Sequence, residues 1–252
     1  MKVNYLNPNI ASGLTFLLLS SNLGHTETLN AHQPYVGVAL SGDHLDGKHS
    51  ESLSNFAGRN LTFSGGRSLS TNQFNGYLFV GTIFNLQQNW FISPEGQIGQ
   101  GALNRKLQNE VRDPDVTPLQ RHLNPQLSRK MMTSFVIRGG RTLLESIQFY
   151  AAAGIDASLF KYSTAYENVD FGGPRGLGFT TFSHSKWKYG PVVGVGIAKT
   201  FEKARLGIEY RFASYSAVKM TQIVYTQDLT ETISSKMKPR ISSIMLRWSY
   251  TF

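Results

Sequence analysis

Large apolar side chains recur at every second position along most of this chain. In residues 240–252, Ile244, Leu246, Trp248 and Tyr250 alternate with Ser243, Arg247, Ser249 and Thr251. A side-chain period of two describes a strand with one apolar and one polar face. Chain ends are ordinarily frayed and polar. An end carrying Trp248, Tyr250 and Phe252 instead suits a boundary between an apolar and an aqueous phase, where aromatic rings are favoured.

The pattern repeats upstream. Leu206, Ile208, Tyr210 and Phe212 alternate with Arg205, Gly207, Glu209 and Arg211. Trp187, Tyr189, Pro191, Val193, Val195 and Ile197 alternate with Lys188, Gly190, Val192, Gly194, Gly196 and Ala198. Only Glu202 and Lys203 separate these two runs, which predicts a tight hairpin. Further runs cover 147–159, 131–138 and 90–98; in the last, Phe91, Ser93, Glu95 and Gln97 form the polar face. Residues 74–84 and 35–41 also read as strands, with large side chains on both parities, so their facing is open.

These segments make eight strands. Their connections alternate in length: 85–89, 143–146 and 202–203 are short, whereas 42–71, 103–128, 165–185 and 221–239 are long. Long structureless connections are uncommon inside compact soluble domains. Short turns alternating with long loops are expected of an up-and-down membrane barrel. The long first connection leaves room for an extra hairpin, and hence for ten strands.

Composition narrows the class further. The 252 residues include no Cys, which excludes disulfide scaffolds and thiolate metal sites. No apolar run reaches the roughly 18 residues of a spanning helix. Charged residues make up 16 %, and the mean hydropathy of −0.22 is consistent with strands whose second face is polar. Residues 1–31, with Lys2, the run Leu14-Thr-Phe-Leu-Leu-Leu19 and then Leu29-Asn-Ala31, read as a secretory signal, leaving 32–252 as the barrel domain. The net charge is +9. Basic chains often bind nucleic acid, but its Lys and Arg are scattered with no Lys/Arg-rich block, and anionic lipid headgroups are an equally good partner for such charge.

A soluble sandwich or lipocalin-like barrel would turn the apolar face inward. Here the apolar set includes Trp and Tyr near the strand ends, as in an aromatic girdle. The opposite face carries Arg and Glu, which are costly to bury singly but suit a narrow polar lumen lined with Gly and Ala.

The stretch 35–252 resembles the small outer-membrane barrels of the opacity-protein and outer-membrane-protein-A-like superfamily. The resemblance rests on Gly194-Val-Gly-Ile-Ala-Lys-Thr-Phe201, Leu206-Gly-Ile-Glu-Tyr-Arg-Phe212 and Leu246-Arg-Trp-Ser-Tyr-Thr-Phe252. It implies an all-β, eight-stranded antiparallel up-and-down transmembrane barrel at the surface of a Gram-negative cell. It also implies that Leu246, Trp248, Tyr250 and Phe252 form an assembly signal for the barrel-assembly machinery. Members with a peptidoglycan-binding domain continue beyond this point, so that anchoring role is not implied.

Strand parity points Glu95, Arg138, Asp156, Lys188, Arg205, Glu209, Arg211 and Arg247 into the lumen. Opposite charges confined there should pair. Glu209 lies between Arg205 and Arg211, with Arg247 on the next strand. Eight strands leave space that side chains fill; were it open, surplus cations would favour anions.

Other residues bear on chemistry. The first long connection holds His44, Asp46 and His49; the second holds Arg105, Lys106, Arg112, Arg121 and His122. Two His without a clear third ligand do not define a metal site. Ser183-His184-Ser185 lacks an orienting carboxylate at close spacing. The glycine-rich run 171–179 lacks the strand-to-helix setting of a phosphate loop. The expectation is therefore a monomeric outer-membrane protein with no cofactor and no enzymatic activity. Its role is structural or adhesin-like, through loops that meet lipopolysaccharide or a host or environmental surface ligand. A narrow, weakly anion-selective pore is the alternative, followed by a lipid-modifying barrel enzyme.

Overall fold

The alternating runs form one antiparallel sheet that closes on itself. The computed structural model describes residues 32–54, 63–101, 126–143, 146–168, 178–226 and 229–252; the signal read in 1–31 lies outside them. The strands are β1 (His32–Ser54), β2 (Phe63–Asn85), β3 (Trp90–Gly101), β4 (Gln126–Leu143), β5 (Ile147–Asn168), β6 (Gly178–Phe201), β7 (Ala204–Ser214), β8 (Val218–Thr226) and β9 (Leu229–Thr251). Each strand pairs with the next, up to β7, and β7 pairs with β9. Pairing of β1 with β9, from Tyr35↔Thr251 onward, shuts the ring.

The result is an eight-stranded barrel, because β7 and β8 occupy one position beside β9. Ser214 lies opposite Arg240, but Val218 lies opposite Met237, so the interrupted strand carries one extra residue. Pro239 explains the break. Its carbonyl accepts from Tyr215 N at 3.0 Å, so its ring nitrogen, which has no hydrogen, faces the same strand. The ladder loses a donor there, and the chain bulges at 215–217.

Three of the expected long connections prove shorter, because the strands run on. Residues 42–54 and 63–71 belong to the β1–β2 hairpin, which pairs out to Leu53↔Phe63. The β5–β6 hairpin pairs out to Asn168↔Gly178. Of the expected connection 221–239, residues 221–226 and 229–239 are strand, with Thr226 paired to Leu229; 227–228 lie outside the described residues. Period-two apolar patterning fades above the membrane while hydrogen bonding continues, so the strands outlast their hydropathy signal. Most of the second connection, 102–125, lies outside the described residues. At the opposite end, the turn Glu202–Lys203 is tight, with Glu202 at φ 46°.

Facing is settled for the two open strands. Tyr35, Ala39, Ser41, Asp43 and Leu45 are buried on β1, and Gln73, Asn75, Tyr77, Phe79 and Ile83 on β2. The outside is apolar: Leu40 is 68 % exposed and Ile244 63 %, whereas Glu209 inside is 0 % exposed. An apolar exterior around a charged interior inverts the soluble arrangement and is that of a transmembrane barrel. Inside, two apolar clusters share the lumen with the charges. One includes Leu45, Phe160, Tyr162, Val218, Met220, Met237 and Ile241. The other includes Tyr35, Tyr77, Phe79, Phe91 and Tyr150.

Candidate functional site

The lumen charges are positioned by strand parity. Glu95 on β3, Arg138 on β4, Glu209 and Arg211 on β7 and Arg247 on β9 all point inward and meet. Arg138 Nε donates to Glu209 Oε2 at 2.9 Å, and Arg138 Nη1 lies 2.8 Å from Glu95 Oε2. Arg247 Nη2 donates to both Glu95 oxygens, at 2.9 and 2.6 Å. Its Nη1 is 3.6 Å from Glu209 Oε2. Arg211 Nε donates to Glu209 Oε1 at 2.8 Å, and its Nη1 to Gln97 Oε1 at 2.7 Å. Two carboxylates thus hold three guanidiniums. None of these five groups is held by its own strand alone, so the cluster ties β3, β4, β7 and β9 across the lumen.

Tyr hydroxyls complete the carboxylate coordination. Tyr35 Oη donates to Glu95 Oε2 at 2.7 Å and Tyr150 Oη to Glu209 Oε2 at 3.1 Å. A buried carboxylate is tolerated only when its lone pairs are met in this way. The remaining space beside Tyr35, Arg138, Tyr150, Arg205 and Arg247 is a cavity of about 10 Å³, the size of about one water.

Three of the sequence-predicted residues stand apart from this cluster. Asp156 accepts from Tyr215 Oη at 2.8 Å. Arg205 does not pair with Glu209 as expected: the guanidinium lies over the rings of Phe91 and Tyr150, at 5.6 and 5.8 Å. Its position four residues before Glu209, on the same strand face, sets it beside these rings, where cation–π contact replaces an anion. Lys188 is not in the closed lumen either. It is half-buried, opposite Ser158, and among the described residues makes no ion pair.

A second polar layer was missed in the sequence. Arg129 Nη2 donates to Asp43 Oδ2 at 2.8 Å and to Tyr77 Oη, while Asn75 and Ser41 also donate to Asp43. Asp43 fell in the connection 42–71, and Arg129 between the connection 103–128 and the run 131–138. Continuing the parity of Tyr35, Gly37, Ala39 and Ser41 by one step would have placed Asp43 inside. Tyr215, at the bulge, stacks edge-on against Phe160 at 4.9 Å.

His44 stands on β1, its Nδ1 2.8 Å from Asn72 Oδ1. No group of metal-ligating side chains assembles among the described residues. Ser183, His184 and Ser185 lie on β6, exposed, where alternation turns His184 to the face opposite both serines. Leu246, Trp248, Tyr250 and Phe252 all face outward.

A closed, even-stranded antiparallel barrel with this exterior belongs in the bacterial outer membrane. No family model and no curated protein matches the chain. Solved outer-membrane barrels do. Ail, the attachment invasion locus protein of Yersinia pestis, solved with the heparin analogue sucrose octasulfate, shares 12 % identity over 85 % of this chain and 99 % of its own, with a TM-score of 0.37. OprG of Pseudomonas aeruginosa shares 11 % over 86 % and 96 %, with a TM-score of 0.42. Neisserial surface protein A shares 11 % over 85 % and 97 %, with a TM-score of 0.36.

Proposed function

We propose that this outer-membrane barrel is a non-conducting surface protein, held rigid by a filled lumen and acting through its outer hairpins. The observation that carries the reading is the charge cluster of Glu95, Arg138, Glu209, Arg211 and Arg247. It crosses the lumen among two clusters of buried apolar side chains. Opening a path would separate buried ion pairs, each costly to break.

The strand lengths support the surface role. β1, β2 and β9 have 23 residues each, β5 has 22 and β6 has 24. A tilted strand needs about 9–11 to cross a bilayer. Roughly half of each strand therefore projects beyond the membrane as paired β-structure. A partner meeting such a platform orders less chain on binding than one meeting a loose loop. The partners proposed are lipopolysaccharide and a host or environmental surface ligand, engaged by a monomer without a cofactor. During assembly the outward row Leu246, Trp248, Tyr250 and Phe252 serves as the signal read by the insertion machinery.

Planar-bilayer recording tests the closed lumen. Folded protein, identified by its heat-modifiable gel mobility, gives no stable conductance. Discrete channels would overturn the reading. Their selectivity would be for anions, because five buried Arg (129, 138, 205, 211, 247) exceed four buried carboxylates (Asp43, Glu95, Asp156, Glu209). For the surface role, cells displaying the protein attach to epithelial or abiotic surfaces, and trimming the β1–β2 hairpin to a two-residue turn removes the attachment.

A further inference from the structure

Above the apolar belt, four lysines gather on one part of the outer wall. Lys219 on β8 lies directly opposite Lys236 on β9, and Lys238 on β9 directly opposite Lys48 on β1. Their strand neighbours Val218, Met220 and Met237 are buried, so the lysines face outward, and all four are exposed. Side chains directly opposite in a sheet sit about 5 Å apart at Cβ, and like charges so placed destabilise it. The next cation down, Arg240, faces Asp46. The four lysines have no such match: among the described residues none of them is in an ion pair. Across the seam, β6 is not paired with β8, and Lys188 there lies within electrostatic range of Lys219 and Lys186.

Height identifies the occupant. On β9 the outward row runs Phe252, Tyr250, Trp248, Leu246, Ile244, then Ser242, Arg240, Lys238 and Lys236. At a tilt of about 45° a strand climbs roughly 2.4 Å per residue along the membrane normal. An apolar band of about 25 Å starting near Phe252 then ends close to Ser242. Lys238 and Lys236 stand about 10–15 Å above that edge on the same rise. Phospholipid phosphates lie only about 5–8 Å beyond the hydrocarbon. A glycolipid whose phosphates are carried on sugars reaches higher.

We infer that Lys48, Lys219, Lys236 and Lys238 form a binding site for the sugar-borne phosphates of a glycolipid in the outer leaflet. The inference rests on the proposed outward orientation of these hairpins, not on whether the lumen conducts. An anion here removes the repulsion of two opposed lysine pairs at once, which a surface evolved only for solubility would not need to create.

The test is titration of the folded protein in detergent with bisphosphorylated lipid A, with retention read by native mass spectrometry. Wild type retains lipid A, and binds dephosphorylated lipid A and phosphatidylglycerol less. The variant K48Q/K219Q/K236Q/K238Q, with heat-modifiable mobility intact, binds lipid A about tenfold or more weakly. The variant K161Q, on the far wall, matches wild type. Equal lipid A binding by the quadruple variant would overturn the site. Equal binding of phosphatidylglycerol, or displacement by inorganic phosphate, would overturn the glycolipid assignment. Channel activity is measured separately on wild type, so a conducting lumen with an intact lysine site, or the reverse, distinguishes the two failures.

Discussion

Arg138 on β4 and Glu209 on β7 join non-adjacent walls of the barrel, with Nε and Oε2 2.9 Å apart and both residues at most 1 % exposed. Backbone ladders connect only neighbouring strands. This contact, repeated by Arg247 and Glu95, supplies bonding across the ring, where the ladder supplies none.

Replacing Glu209 with Gln leaves the shape but removes the anion shared by Arg138, Arg211 and Arg247. Breaking one side of a buried ion pair costs about 3–5 kcal/mol. The expected outcome is a lower midpoint for heat-induced loss of compact gel mobility and for denaturant unfolding in micelles. An unchanged midpoint would show that the carboxylate is not confined and paired.

The Glu95–Arg247 pair should show strong coupling in a double-mutant cycle. Glu95→Gln and Arg247→Met each leave a buried charge unpaired. The double variant removes both, so its loss is smaller than the sum by about 1–3 kcal/mol. Strict additivity of the three unfolding free energies would argue against direct pairing.

Tyr35→Phe deletes a hydroxyl that hydrogen-bonds Glu95 at 2.7 Å and Ser93 at 2.8 Å. A bond to a charged group is worth about 1.5–3 kcal/mol. The variant should fold and lose stability in that range, and adding Glu95→Gln should shrink the effect of the tyrosine change.

At Gly81 an added Cβ would stand 2.6 Å from the Pro94 carbonyl oxygen and 2.6 Å from Tyr35 Oη. The carbonyl belongs to the paired strand and cannot swing away. Gly81→Ala is expected to cost about 1–3 kcal/mol and to lower refolding yield into micelles. Gly76→Ala, which meets nothing within 4 Å, is the matched control and should refold normally.

The tryptophans mark the bilayer edges. Trp90 and Trp248 lie near the short turns and Trp187 toward the opposite rim, all at least 38 % exposed. In liposomes, single-Trp variants at each position should be quenched more by lipids brominated near the headgroup than by lipids brominated near the chain ends. Deeper quenching of Trp187 would shift the upper boundary of the belt, and with it the height of the lysine patch.

The barrel was legible because lipid and lumen impose opposite demands on alternate residues. Trp248 and Arg247 needed no third dimension to be placed on opposite faces. Legibility failed where that contrast ended. Residues above the belt meet water on the outside, so β8 and the upper part of β9 carry no outward apolar row and 221–239 reads as loop, although β8 and β9 pair from Val218↔Met237 to Thr226↔Leu229. Asp43 was missed for the same reason at the upper part of β1, and Arg129 lay just before the run 131–138. The split at 215–217 had one local signal, Pro239, but a proline marks a missing donor without saying which neighbour is deprived of it.

Alternation, turn spacing and the aromatic run to Phe252 determined, from sequence alone, that the chain forms a lipid-facing barrel with charges inside. Those properties are local, because parity on one strand does not depend on any other. Which charges meet is not local. Glu209 and Arg205 share a strand face, yet the arginine turns to Phe91 and Tyr150 while the glutamate takes Arg138 from a distant wall. Only closure of the ring, with its register and stagger, brings those walls within hydrogen-bonding distance and sets the lysines of three separate strands side by side.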